Sequence, residues 1–435
     1  MSNFPPILRV RQQFARPRVA DIAGEVHAQL ARLELHRRVQ PGQSVAITAG
    51  SRGIANIAAI LRAAAEHFLA LRAEPFLVPA MGSHGGGTAE GQRQVLESCG
   101  ITEASVGCPI RSSMETAIVG RAAEGFPLHV DRRACAADHV LVCGRVKPHT
   151  SFAGDFQSGL LKMLLIGLGK QDGANIYHRA IEDFSFDQIV RSVARELLQK
   201  CHVVAGLAIV ENAHDETALI EAVKPSQFEA RETQLLALAR EWMARLPFDA
   251  VDVLLIDRMG KNLSGVGFDP NVVGRKFNDH RAVEGETPKV KRICLRSLTS
   301  ESRGNAVGLG MAEFCRTQLL RDMDPRITRV NSLTSGHIAA GMTPLDYETD
   351  REMLQAALGT VGLVEPRHAR LLWIADTLDL VEVECSAAYL EAARARSDLE
   401  IVSEVREMAF DAVGNLPLIF PPRAAPAPAR LQASG

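Results

Sequence analysis

A chain of 435 residues, 46% of them hydrophobic and 5% aromatic, carries enough nonpolar surface for more than one buried core. Its 49 basic and 51 acidic side chains nearly cancel, which excludes both the positive surplus of a nucleic-acid binder and the acidic block of a solvating tail. With 21 prolines and 34 glycines and no short-period repeat, the composition also excludes collagen-like, prion-like and mucin-like material.

The N-terminal stretch MSNFPPILRVRQQFARPR shows no continuous apolar run after its basic residues and no small-residue cleavage site, so a cytoplasmic protein is expected. Val45 to Thr48 form a short apolar run. Gly50-Ser51-Arg52-Gly53 then turns, Ile54, Ile57, Leu61 and Phe68 recur at helical spacing, and Phe76 to Val78 form a second apolar run. This is a βαβ pattern, and parallel sheets of that kind bind ligands where loops leave the carboxyl ends of their strands. After Val78 comes PAMGSHGGGTAEGQ, in which Thr88 is placed to cap a helix with Glu90 in its first turn. A third strand, His139 to Val142, empties into GRVKPHTSFAGDFQSG. No apolar run reaches the ~20 residues that a membrane span needs; Ser158 to Gly169 comes nearest and carries Lys162 in its middle.

Gln234 to Leu246 reads as an amphipathic helix that Pro247 stops, and the strand Val251 to Ile256 follows. The second half repeats the style, with a helix expected from about Ala306 to Leu320 and a strand at Leu371 to Ile374. The expected fold class is therefore α/β, with an N-terminal domain over 1–247, a C-terminal domain over 248–420, and a disordered proline- and alanine-rich tail over 421–435. The eight cysteines are scattered, with no C-x-x-C pair, and are read as reduced.

Three of the thirteen histidines stand in loops that draw notice: His84 in the glycine loop, His149 after Lys147-Pro148, and His178 after Asn175-Ile176-Tyr177. Taken singly, each is as well explained by a tight turn or a surface position. The position of His84 and His149 after predicted parallel strands is what brings them to one crevice. Lys162 is a stronger anomaly because leucines surround it. Either its stem lies along apolar surface with the ammonium in water, or it is a desolvated amine able to carry a covalently linked cofactor. Arg52, after the first strand, and Lys261, after Val251 to Ile256, could hold a carboxylate or phosphate, or be solvated loop cations. The run Gly304 to Gly310 fits neither a P-loop nor a dinucleotide fingerprint.

The strings VPAMGSHGGGTAEGQ, VKPHTSFAGDFQSGLLK and IYH, with GSRG before them and MGKN after, resemble the nickel-pincer-dependent lactate racemase family over roughly residues 45 to 310. The resemblance implies two α/β domains enclosing an active-site cleft, and a nickel-pincer nucleotide (pyridinium-3-thioamide-5-thiocarboxylic acid mononucleotide) held there. On that resemblance Lys162 holds the cofactor, His178 completes the nickel coordination, and His84 and His149 are the acid/base pair. Arg52 and Lys261 then resemble the cationic residues that face the substrate carboxylate or nearby cofactor groups. The implied reaction is racemisation or epimerisation of a small 2-hydroxy acid by reversible hydride transfer, with no role for nucleic acid or a membrane. A flat three-donor chelate plus one imidazole gives nickel(II) the tetragonal surroundings it accepts, without a protein thiol. The sequence departs from the family pattern in its longer TSFAGDFQSGLL segment and in Leu161, which stands where the founding members have an arginine; both leave a larger 2-hydroxy acid, including a sugar acid epimerised at C2, as credible a substrate as lactate. Two rival readings of the same residues are a zinc hydrolase with His84, His149 and His178 as ligands, and a non-catalytic protein that binds a phosphate or cofactor.

Overall fold

The computed structural model describes residues 3–51 and 53–420, apart from the side chains of residues 178 and 182. Arg52 and the tail expected over 421–435 lie outside the described residues. The chain divides into two compact units, one built on Ala15–Met243, the other on the chain from Ala244 together with the residues up to Phe14. Both are α/β. The expected single cut after residue 247 does not account for the first residues. Strand β1 (Ile7–Gln12) pairs antiparallel with two strands near the C-terminus, where Ile7, Leu8 and Val10 are buried.

In the first unit β2 (Ser44–Ala49), β3 (Glu74–Pro79), a hairpin of β4 (Thr116–Arg121) and β5 (Pro127–Asp131), β6 (His139–Arg145), β7 (Val203–Glu211) and β8 (Thr217–Val223) follow in chain order. The main sheet runs β3-β2-β6-β7-β8, parallel except for β8. Strands covered on both faces read as continuous apolar runs, and the register divides them cleanly. Phe76, Val78, Val140 and Val142 face one side, where they pack with Leu160, Leu164 and Ile189. Val45, Ile47, Leu77 and Leu141 face the other, beneath Ile60, Leu61 and Phe68 of the helix Ile57–Ala70. The helix Phe186–Lys200 shows why such elements form. Ser185 caps it by accepting the Gln188 amide at 3.2 Å, and Phe186, Ile189, Val190, Val193 and Leu197 form one buried stripe. Each of those larger side chains contributes about 1.5–3 kcal/mol through burial.

The second unit is built on a sheet ordered β12-β11-β10-β9-β13-β14-β1-β15, with β9 (Ala250–Met259), β10 (Lys289–Leu298), β11 (Phe314–Arg316), β12 (Leu345–Tyr347), β13 (Leu371–Ile374), β14 (Glu382–Ser386) and β15 (Leu399–Ile401). β9 to β13 are parallel; β14, β1 and β15 are joined antiparallel. No helix among the described residues is long and apolar enough to cross a membrane.

Two expectations fail locally. The helix expected over Gln234 to Leu246 spans Phe228–Trp242, and Met243 already has extended backbone, so Pro247 is not what ends it. The helix expected from Ala306 to Leu320 is instead a 3-10 turn (Leu309–Met311), strand β11 and a short helix (Thr317–Asp322). The reason lies in the glycines. Gly308 has φ of +101°, and a Cβ there would stand 1.7 Å from the Val266 carbonyl oxygen; one on Gly310 would stand 1.9 Å from that of Ala339. These residues let backbones touch. Gly308→Ala should therefore lower stability by about 2 kcal/mol or more, read as a fall in the urea midpoint with the m-value unchanged.

Candidate functional site

In an open parallel sheet, a crevice forms where chain order reverses, outside the carboxyl ends of the strands. In the first unit β2 has β3 on one side and β6 on the other, so the loops after these three strands meet that condition. They are the loops of Arg52, His84 and His149. Contact between the first two is direct, since Ser51 Oγ and His84 Nδ1 share a 2.5 Å hydrogen bond. His84 is exposed and precedes the 3-10 turn Gly85–Gly87, whose residues all have positive φ. A Cβ on Gly85 would lie 2.5 Å from the Gln92 amide, so the turn closes tightly on the helix Ala89–Ser98 that Thr88 caps.

The segment bearing Lys162 fills the space behind these loops. One short helical turn, Leu160–Lys162, runs into a π-helical turn, Met163–Gly167, closed by the Leu168 amide on the Met163 carbonyl at 2.9 Å. Leu160, Leu161, Leu164, Leu165 and Leu168 are buried, whereas Lys162 is half-buried. A Cβ on Gly144, at the end of β6, would stand 2.7 Å from Met163 Cγ, and one on Gly50 3.4 Å from Met163 Cε. The Gly82 amide donates to the Gly167 carbonyl at 3.2 Å. All three loops thus abut one segment. The Lys162 ammonium stands 4.6 Å from the centroid of the Phe152 ring, on which the His149 imidazole stacks at 4.1 Å. His149 is tied locally: its amide donates to Gln157 Oε1, and its Nδ1 accepts the amides of Ser151 and Phe152, each at 3.0 Å.

Two buried ionisable residues that the sequence reading passed over support this arrangement. Glu232 is fully buried and accepts the Leu161 amide at 3.1 Å, directly under the Lys162 turn. Burial pushes its carboxyl up to about 8, against the lowering effect of the Leu161 and Leu160 amides. Lys170 has no exposed side-chain surface, φ of +53°, an ion pair with Asp131 at 3.0 Å, and hydrogen bonds to the Pro79 carbonyl at 2.6 Å and Gln92 Oε1 at 3.2 Å. Gln92 Nε2 in turn donates to the Gly82 and His84 carbonyls at 2.8 and 3.3 Å. The ammonium thereby ties the glycine turn to the start of the helix Lys170–Asp183, which carries His178. Burial lowers the Lys170 pKa and Asp131 raises it back in part. Lys170 had one signal in the sequence: a cation at a helix start opposes the helix dipole and needs a reason to be there.

Of the six residues proposed from sequence, the structure sets His84, His149 and Lys162 at this edge of the sheet. Arg52 lies outside the described residues, although its neighbour Ser51 is in place. His178 belongs to the helix Lys170–Asp183, its side chain not described. Lys261 belongs to the other unit, after β9, which likewise has β10 on one side and β13 on the other. Its ammonium donates to Gly265 O and, at 2.8 Å, to Asn331 Oδ1. All eight cysteines are free, and burial raises the thiols of Cys143, Cys201, Cys315 and Cys385 to about 12. Among the described residues, no three His, Cys, Asp or Glu side chains converge as a metal site.

Glu232 gives a pH-dependent expectation. Its folded-state pKa lies above the unfolded value, so the folded state binds the extra proton and stability falls as pH rises from about 4.5 to 8. Glu232→Gln keeps the acceptor and removes the titration. Its stability relative to the parent should rise across that range by ~4 kcal/mol in parallel urea denaturations. Asp131→Asn leaves the Lys170 ammonium buried without its counter-charge and should lower stability by ~3 kcal/mol at neutral pH.

Residues 32–185 match the family model of the lactate racemase N-terminal domain. Among solved structures, the lactate racemase apoprotein from Thermoanaerobacterium thermosaccharolyticum has a similar fold, with a TM-score of 0.53 and 12% sequence identity over 85% of this chain and 94% of that one. No curated protein matches the chain significantly.

Proposed function

From the match of residues 32–185 to the lactate racemase N-terminal domain, we propose that this chain is a racemase or epimerase of a 2-hydroxy acid that works with a lysine-tethered nickel-pincer nucleotide. The observation that carries the reading is the packing of three strand-end loops, those of Ser51, His84 and His149, around the segment that presents Lys162.

The residues suit that cofactor. Lys162 offers a half-buried primary amine beside an aromatic face, a setting in which a covalent link is shielded yet reachable. The protein's thiols are held protonated by burial, so sulfur donors to a soft-leaning nickel site would come from the bound group. Lys162 would hold the nucleotide and His178 would supply the imidazole ligand. Bound there, the nucleotide would supply a hydride-accepting centre. That chemistry suits the substrate, because the α-hydrogen of a 2-hydroxy carboxylate is too weakly acidic for easy removal as a proton.

What remains for the chain itself is the hydroxyl proton, the carboxylate and the exclusion of water. His84 and His149 handle the proton, with imidazole pKa values that ordinarily lie near neutrality. Arg52 orients the carboxylate through its planar fork. Leu161 is fully buried and presents no charge to the crevice. The substrate class is a 2-hydroxy acid; without an arginine at that position, a larger, sugar-acid-like member fits the reading as well as lactate does.

Protein made in cells that synthesise the pincer should contain nickel rather than zinc and a mass adduct on the peptide bearing Lys162. Lys162→Ala should abolish the adduct and the activity together. A panel of single-enantiomer 2-hydroxy acids deuterated at C2 should show inversion of at least one member with the label retained. Label washout, or inertness of loaded protein across the panel, overturns the reading.

A further inference from the structure

We propose that Asp187 and Glu232, on two helices outside the loop between His149 and Lys162, are positioning residues for the site. Asp187 sets the end of the loop that bears on His149, and Glu232 sets the end that presents Lys162. The effect on turnover rests on the racemase or epimerase reading; the folding of the loop by two carboxyl groups does not.

Twelve residues separate His149 from Lys162, and those up to Gly159 lie in no strand or helix that would satisfy their amides. Two glycines make the reversals, Gly154 with φ of +106° and Gly159 with φ of +104°, values that side chains rarely allow. At both, a carboxyl group from a distant helix occupies the room of the missing side chain. A Cβ on Gly154 would stand 2.6 Å from Asp187 Cγ, and one on Gly159 would stand 2.7 Å from Glu232 Cδ. No carbon could be added at either glycine without displacing the acid.

The carboxyl oxygens take amides that the turns leave over. Asp187, in the first turn of the helix Phe186–Lys200, accepts from Asp155 at 2.9 Å through Oδ2 and from Phe156 at 3.1 Å through Oδ1. Next to Phe156, Gln157 accepts the His149 amide at 3.0 Å and donates to the Gly154 carbonyl at 3.1 Å. Phe186, beside Asp187, stacks on Phe152, and Phe152 stacks on His149. This end of the loop therefore bears on the imidazole. At the other end, the turn Leu160–Lys162 starts from a glycine that has no side chain to cap it. Glu232, on the helix Phe228–Trp242, fills that role by accepting the Leu161 amide at 3.1 Å through Oε2. Lys162 is the next residue. Glu232 Oε1 has no hydrogen-bond partner among the described residues, so a buried acid is kept here for the amides at the start of one turn. An apolar side chain of similar size would fill the space without holding that turn.

The test begins on purified full-length protein without cofactor. Acetic anhydride is the probe, and mass spectrometry reads how fast Lys162 is acetylated relative to exposed Lys289 of the other unit. Glu232→Leu should free the turn and raise that ratio about 5-fold, Glu232→Gln should restore it, and Asp187→Ala should leave it within about 2-fold. Gly159→Ala reaches the same contact from the other side and decides the point if Glu232→Leu does not fold. An unchanged ratio overturns the Glu232 half, as does an equal change in Glu232→Gln. Hydrogen exchange of the 150–158 peptide should rise about 10-fold in Asp187→Ala and stay at the parent rate in Glu232→Leu. Exchange at the parent rate in Asp187→Ala overturns the Asp187 half. In loaded enzyme, Asp187→Ala should lower kcat about 10-fold with KM and the Lys162 adduct kept, and Asp187→Asn, which retains one acceptor oxygen, should recover part of the loss. A parental kcat in Asp187→Ala overturns its bearing on His149. Inertness of the loaded parent protein removes the racemase reading and the kcat comparison with it, while acetylation and exchange still decide which carboxyl folds which end.

Discussion

The geometry of the site depends on close backbone packing between the Leu160–Gly167 segment and the ends of three parallel strands. Met163 reaches Gly50 and Gly144 at distances that leave no room for a Cβ on Gly144, and Gly82 bonds the Gly167 carbonyl. A π turn shifts the phase of side chains along a helix, so that Leu161, Leu164 and Leu165 point into the core while Lys162 stays half-exposed. Interiors packed at crystal density do not deform continuously. The orientation of the lysine is therefore set by contacts made well away from its amine.

Ionisable groups buried beneath that segment reinforce it at a cost in stability. Glu232 holds the amide of Leu161 from below, and the Lys170–Asp131 pair ties the glycine turn to the helix of His178. A buried ion pair seldom stabilises a fold more than apolar residues of the same volume would, and Lys170 also sits at a positive φ that lysine rarely adopts. Such features persist where a particular geometry matters more than maximal stability. Their position around the proposed proton-handling residues fits that pattern.

The sequence made the first unit legible because its signals were local. The apolar runs at Val45 and Phe76, the Thr88 cap and the strand at His139 all appear as β2, β3, a capped helix and β6. The loop rule then placed His84 and His149 at one sheet edge. What stayed hidden was set by tertiary contact. Gly308 and Gly310 read as part of a helix because nothing local tells that Val266 and Ala339 lie against them. Lys170 and Glu232 drew no notice in the sequence, since burial by distant elements leaves no periodic trace. The tie of His149 Nδ1 to two amides was equally out of reach, because it depends on how the Ser151 to Gln157 loop folds back.

Strand β1 lies between β14 and β15, with Glu384 accepting from Arg9 across the register. During synthesis this strand leaves the ribosome long before its neighbours, so its apolar edge waits through the making of the intervening chain for the residues that cover it. The central unit can acquire its own core in that interval, as its strands are contiguous in the chain. The outer unit cannot close its sheet until the ribosome has released β15. Truncation near the C-terminus would therefore strip cover from the N-terminus, and chaperone engagement of the nascent chain should persist until its final strands are made.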